Sequence, residues 1–186
     1  MHTAVQISGI ETPRLFIREI RSRDSRQFSD YMLRADYQAA IAVRYTHSAE
    51  VENFVSRSVR RQKLPNRTSF HLAAVSKENG KIIGDGFITK HRPRSAELGW
   101  GVHPGYWQLG LGTEIGEALI AVGFEKLDCA LLWAKSFAAN TGSIRLMDRI
   151  GLSHDRLAPD QQVAPGVRTD VTYYSMKADD YFEAAY

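Results

Sequence analysis

The sequence predicts an α/β fold, with a mixed, mostly antiparallel central sheet flanked by helices. Three observations predict it. Residues 69–102 hold three apolar, β-branched runs joined by short turns, the pattern of an antiparallel meander. Residues 112–125 and 140–151 carry apolar side chains at three- and four-residue spacing, as amphipathic helices do. Each of these helices is followed by another strand-like run. A helical crossover between strands of one sheet makes part of that sheet parallel.

The elements follow in order. Residues 1–12 read as a loose lead-in, and Leu15–Glu19 as a strand entered through Pro13. Residues 24–34 form a helix with Phe28, Tyr31 and Met32 on one face. Ser48 opens a second helix, whose stripe of Val51, Phe54, Val55 and Val59 marks a half-buried face. Residues 64–67 end it. Strands at 69–76 and 81–89 are joined across Asn79-Gly80, a hairpin signal. Arg92-Pro93-Arg94 turns the chain into a strand at 96–102. The helix at 112–125 buries Ile115, Leu119 and Val122, and a strand returns at 130–135. Asn140 starts the next helix, with Ile144, Met147 and Ile150 inward and Gly151 as its C-cap. Residues 155–166, rich in Asp, Gln and Pro, read as a loop. Residues 171–176 make the last strand, with a short tail helix after it.

A chain of 186 residues, 44% hydrophobic and 24% charged, suits one globular domain, here 1–186 with a tail from 178. The single cysteine, Cys129, excludes an internal disulfide and a cysteine-rich zinc site. His71, His91 and His103 show no metal-ligand spacing, so no metal is expected. No apolar run is long enough to span a bilayer and no secretory segment follows Met1, so no membrane partner and a cytoplasmic location are expected. Residues 1–94 hold 17 Lys or Arg against 9 Asp or Glu, and the remainder 7 against 12. A basic half can attract nucleic acid, but Arg57, Arg60 and Arg61 are explained equally well as a solvated helix face, the reading preferred here.

The most informative segment is His103-Pro-Gly-Tyr-Trp-Gln-Leu-Gly-Leu-Gly-Thr-Glu114. A strand stops, a glycine-bearing turn follows, and a helix starts at once. Glycines let backbone approach a ligand, and the free N–H groups of a first helical turn favour a phosphate. Gly110-Leu-Gly112-Thr-Glu-Ile-Gly116 is one residue too long for a dinucleotide fingerprint, and no Gly-Lys-Ser/Thr is present for a P-loop.

Three pieces together resemble the GNAT N-acetyltransferase superfamily, and within it the ribosomal-protein-alanine N-acetyltransferase branch. They are Glu11-Thr-Pro-Arg-Leu-Phe-Ile-Arg18, the stretch from Glu97 to Glu114, and Asn140-Thr-Gly-Ser-Ile-Arg-Leu-Met147 with Arg149-Ile-Gly151. The resemblance spans about residues 11–177. It implies the GNAT acyl-CoA N-acyltransferase fold and transfer of an acetyl group from acetyl-CoA, as cosubstrate, to a primary amine by direct attack in a ternary complex. It implies that amides of Gln108, Leu109, Gly110, Leu111, Gly112 and Thr113 hold the pyrophosphate. It also implies that the strand at 100–103 diverges from the one at 131–135, leaving backbone groups of Val102 and His103 for the pantetheine arm and thioester. Trp107 departs from the family pattern, standing where the superfamily usually has Gln or Arg.

Attack on a thioester needs a neutral amine, and a carboxylate can take the ammonium proton. The resemblance places Glu97 in that role; the plainer explanation is a carboxylate paired with Arg92 or Arg94. Asn140 and Ser143 are explained by helix capping alone. The resemblance adds an Asn140 contact to pantetheine and a Ser143 hydroxyl near the leaving sulfur. Trp100, Tyr106 and Trp107 are core or pocket aromatics. Of Tyr173 and Tyr174 only one can face inward, and it is an alternative donor to sulfur. Cys129 reads as a small buried hydrophobe. The amine acceptor, a protein N-terminus or a small molecule, is left open, as is a homodimer. A non-catalytic acyl-CoA sensor and a nucleic-acid-associated enzyme are the rival classes.

Overall fold

A computed structural model of the chain describes residues 6, 7, 9–41, 43–91 and 94–184. Eight strands form one sheet: β1 (Ile10–Glu11), β2 (Leu15–Glu19), β3 (Ser69–Ser76), β4 (Ile82–His91), β5 (Ser95–Val102), β6 (Leu131–Phe137), β7 (Ser153–Ala164) and β8 (Val167–Lys177). Their order across the sheet is β1-β2-β3-β4-β5-β6-β8-β7. The β5–β6 pair is parallel and the other neighbours are antiparallel. Helix α4 (Leu111–Ala121) lies between β5 and β6, which is the connection a parallel pair requires.

The helices cover two faces with separate cores. Helices α1 (Ser25–Met32), α2 (Ala35–Ala39) and α3 (Ser48–Arg61) place Phe28, Tyr31, Met32, Tyr37, Val51 and Val55 against Ala73 and Ile82. On the other face α4 and α5 (Thr141–Arg149) pack Ile115, Leu119, Met147 and Ile150 against Leu72, Ile88, Leu98 and Leu132. The apolar stripes of α3, α4 and α5 are buried as their spacing predicts. Burial of each such side chain contributes about 1.5–3 kcal/mol. Cys129 is buried in the α4-side core. A tail helix, α6 (Ala178–Glu183), closes the described chain.

The expected loop at 155–166 is overturned: it is most of β7, an edge strand paired with β8 through a turn at Pro165 and Gly166. The alternation that marks a strand is missing because most of β7 is exposed, so polar residues sit on both faces. The register shifts between Ala158 and Gln161, where Pro159 would otherwise interrupt the ladder. Helix α2 and β1 are too short to leave a periodic signal. The last turn of the helix predicted at 112–125 is a π-helical segment, Val122–Lys126. The expected Arg92–Pro93 turn, residues 1–5 and 8 of the lead-in, and the end of the tail lie outside the described residues.

Candidate active site

Strands β5 and β6 start as partners and then part. Ser95 pairs with Leu131 and Leu98 with Ala134, and there the ladder ends. Beyond it Gly99–Val102 pair only with β4, and Lys135–Phe137 pair only with β8. A wedge-shaped gap therefore opens in the middle of the sheet. Successive amides of a strand point to opposite edges. The His103 N–H donates to the Ile83 carbonyl at 2.8 Å, so the Val102 N–H points into the gap. The Val102 carbonyl on the same edge accepts the indole N–H of Trp107 at 2.7 Å.

The chain leaves β5 through a 3₁₀ turn at Pro104–Tyr106 and forms a nest of amides before α4. Gln108 has φ of 63° and Gly110 of 76°, left-handed values that alternate with ordinary ones at Leu109 and Leu111. Such alternation turns consecutive N–H groups toward one concavity suited to an anion. The amides of Gln108, Leu109, Gly110, Leu111 and Gly112 donate to nothing among the described residues. Thr113, expected to belong to this set, donates instead to the Gly110 carbonyl at 3.1 Å. Gly112 has a second task. A Cβ there would lie 2.6 Å from Leu146 Cδ1, so the glycine lets α4 and α5 close on each other.

The model of the acetyltransferase (GNAT) domain matches residues 14–153. The chain belongs to the GNAT acetyltransferase family.

Among relatives, the N-acetyltransferase p20 of Bacillus licheniformis is 31% identical over 113 residues, covering 59% of this chain. The match spans 63% of that relative's length. A GNAT-family acetyltransferase structure from Bacillus anthracis superposes with a TM-score of 0.81 at 21% identity, covering 92% of this chain and 99% of the other. The ribosomal-protein-S5-alanine acetyltransferase of Vibrio fischeri gives 0.80 at 18% identity, covering 94% and 99%. The mixed α/β architecture of this chain is thus the GNAT fold.

Arg14, which carries no site signal in the sequence, is built into the nest. Its guanidinium donates to the Leu109 carbonyl at 2.8 Å and is held from behind by Glu114 in the first turn of α4. Glu114 also accepts from the Thr12 hydroxyl and the Arg14 amide. Burial pushes the Glu114 carboxyl up, but the hydrogen bonds from Thr12 and Arg14 outweigh it and leave it below the usual range. Arg14 thus brings a guanidinium to a loop whose Trp107 cannot supply one.

Glu97 stands one step before the strands part, across from Trp133. Its partners are Lys135 Nζ at 3.2 Å and, at 3.9 Å, His91 Nε2. The pairing with Arg94 is not found, since Arg94 binds Asp128; Arg92 lies outside the described residues. The Asn140 side chain accepts from the Ser143 amide at 3.1 Å and donates to the Ala40 carbonyl at 3.2 Å, so it caps α5 and ties α2's exit to it. The Ser143 hydroxyl makes no hydrogen bond among the described residues. It lies one turn before the buried Met147, at the N-terminal end of α5.

Of the aromatics, Trp100 packs against the α4-side core and Tyr106 packs edge-on to His103. Tyr174 is the inward tyrosine, buried on the α5 side, whereas Tyr173 faces the opposite side under Arg156. On the α1–α3 face a cleft of about 490 Å³ is bordered by Arg61, His71, Phe87 and Thr89. Burial, with Arg61 and Arg57 adding to it, pushes the His71 imidazole down to about 4, so it is neutral there. No group of three or more His, Cys, Asp or Glu among the described residues could hold a metal. No helix among them is long and apolar enough to cross a membrane.

Proposed function

We propose that this protein transfers an acetyl group from acetyl-CoA to a primary amine, by direct attack with both substrates bound. The observation that carries the reading is the run of amides from Gln108 to Gly112 without acceptors, facing a nest beside a gap in the sheet. Gln108 and Leu109 are exposed, but Gly110 and Gly112 are half-buried and Leu111 is buried, and a diphosphate supplies partners for their amides. The Arg14 guanidinium adds a fixed positive charge.

The chain's own groups then divide the work. The edges of β5 and β6 along the gap offer backbone groups to the amides of the pantetheine arm. The Val102 N–H polarises the thioester carbonyl and holds the charge that develops on its oxygen. We assign the Ser143 hydroxyl, at the N-terminal end of α5, to the leaving sulfur, and Asn140 caps the start of that helix. Holding amine and thioester in line supplies much of the acceleration. The ammonium proton goes to a carboxylate on the α1–α3 face, where Glu97 and Asp85 both stand.

The acceptor we favour is the terminal amine of a protein. Support comes from the similarity in fold to the Vibrio fischeri enzyme, named for a ribosomal-protein alanine, and from an α-amine's modest basicity, which eases deprotonation. Calorimetry with coenzyme A tests the cofactor reading: binding is expected, and its absence in folded protein refutes the assignment. A Glu97→Gln enzyme with unchanged rate and pH profile removes Glu97 from proton transfer.

A further inference from the structure

We infer that Asp85 is the carboxylate that receives the acceptor's ammonium group and takes its proton. This rests on the acetyltransferase reading above and assigns its acceptor subsite. Asp85 lies in the middle of β4, directly across from Gly101 of β5. Gly101 immediately precedes Val102, whose N–H enters the gap. Directly opposed residues in such a pair are roughly 5 Å apart between Cα atoms. Glu97 is five residues from Val102 along an extended strand, roughly 16 Å.

Gly101 lets the Asp85 carboxylate reach over β5 toward the edge that borders the gap. A Cβ built on Gly101 would lie 2.8 Å from Asp85 Oδ1 and closer still to the Tyr37 hydroxyl. The carboxylate and the phenol therefore sit over the Gly101 backbone, in space that a side chain would otherwise fill. Asp85 Oδ1 accepts from the Tyr31 hydroxyl at 2.7 Å and the Tyr37 hydroxyl at 3.3 Å. Asp85 Oδ2 accepts from nothing among the described residues. Asp85 is 8% exposed, and no buried side-chain oxygen without a partner occurs among the described residues. Oδ2 is thus the oxygen through which this side chain still meets the outside.

A carboxylate with one oxygen fixed by two phenols and the other free, walled by tyrosine rings, fits a primary ammonium. The carboxylate contributes its charge, and the two hydroxyls hold it in place. Glu97, by contrast, already has Lys135 as its ion-pair partner.

The proton count closes. An ammonium R–NH₃⁺ gives one proton to Asp85, leaving R–NH₂. The nitrogen lone pair forms the bond to the acetyl carbon as the carbon–sulfur bond breaks. The second nitrogen proton passes to sulfur, giving the amide and the thiol, and Asp85 returns its proton to solvent. Burial pushes the Asp85 carboxyl up to about 6 despite the two phenols, which suits a base working near neutrality. The groups facing it are Tyr31 from α1, Tyr37 from α2 and Tyr45 from the segment before α3, all with phenols pushed upward by burial. His103, just after β5, packs on Tyr31, and Arg57 and Glu50 of α3 act on Tyr45.

The test compares wild type, Asp85→Asn, Tyr37→Phe and Glu97→Gln, with acetyl-CoA and alaninamide as substrates. Asparagine keeps an oxygen for both phenols, so Asp85→Asn is expected to bind coenzyme A within twofold of wild type. Its alaninamide affinity, measured by calorimetry on coenzyme A-loaded protein, should fall tenfold or more, and kcat/KM a hundredfold or more. Wild-type kcat/KM should lose activity below about pH 6. The Asp85→Asn enzyme should lack that limb, and Tyr37→Phe should shift it upward, which a purely structural role would not do. Alaninamide binding equal in wild type and Asp85→Asn overturns the inference. So does an acid limb abolished by Glu97→Gln and kept by Asp85→Asn, or wild-type protein that binds coenzyme A but no alaninamide. Failure to bind coenzyme A would instead refute the proposed function.

Discussion

Arg14 and Glu114, a hundred residues apart, hold each other at the mouth of the amide nest. The Arg14 amide donates to Glu114 Oε2 at 3.1 Å, and its guanidinium spans from Glu114 to the Leu109 carbonyl. One carboxylate thus fixes the start of β2, the start of α4 and a cation beside the proposed diphosphate.

The two partners are expected to fail differently. Glu114→Ala takes the acceptor from the Arg14 amide and leaves the Thr12 hydroxyl only the Leu15 carbonyl at 3.3 Å, which costs about 1 kcal/mol of stability for these partly buried bonds. Arg14→Ala removes a half-exposed side chain and costs about 1 kcal/mol at most. Its main effect is a roughly tenfold loss of coenzyme A affinity. Denaturant unfolding and calorimetry separate the two; equal stability losses with unchanged affinity in Arg14→Ala would contradict this account.

The closeness of α4 and α5 is set by Gly112 and Gly116, which face Leu146 and Ile150. Gly112→Ala is expected to destabilise by about 1–3 kcal/mol through overpacking. Adding Leu146→Ala should recover part of it, giving a coupling of about 1 kcal/mol in a double-mutant cycle. Additive losses would show that the contact is not what limits Gly112.

Asp85 and His71 give opposite pH dependences. The Asp85 carboxyl is raised from 3.8 to about 6, so the native state holds its proton longer than the unfolded chain does. Stability from this group falls as pH rises from about 4 to 6 and stays lower above. Asp85→Asn should therefore be more stable than wild type at pH 7.5, by at most about 3 kcal/mol, with the difference vanishing below about pH 4. The His71 imidazole is lowered from 6.5 to about 4, so its contribution is lost as pH falls through that window. Wild type sums two opposed slopes, whereas Asp85→Asn keeps only the second and should be the more acid-sensitive curve. Thermal melts of both proteins between pH 4 and 8 measure it; parallel curves would rule it out.

Ser143 can be tested cleanly because the α5 cap uses its backbone amide, bonded to Asn140 Oδ1, and leaves the hydroxyl out. Ser143→Ala should keep the melting temperature and lower kcat about a hundredfold, the low end of the usual range for a proton-transfer group. Full turnover in Ser143→Ala would take the hydroxyl out of the reaction. Asn140→Ala removes the cap and the tie to Ala40 together, and should cost about 1–2 kcal/mol of stability.

The amphipathic helices, the meander and the nest were legible because each leaves a local trace: a 3.6-residue stripe, an Asn-Gly turn, glycines before a helix. Strand β7 was not, because an exposed edge with a proline at a register shift has no alternation to read. Arg14 and Asp85 escaped for a different reason. Their settings are made by residues distant in the chain: Glu114 and Leu109 for one, Tyr31, Tyr37 and Gly101 for the other. One hint for Asp85 stood in the sequence, a charge between Gly84 and Gly86 inside an otherwise apolar strand.

The tether from Trp107 to the Val102 carbonyl carries a practical consequence. Trp107 is 42% exposed, yet its indole is pinned to the edge that bounds the gap. Anything that enters there and bonds that carbonyl comes up against the ring, altering the polarity around it. The protein therefore carries its own optical reporter, and emission from Trp107 should follow occupancy of the gap without any label, even before an acceptor is known.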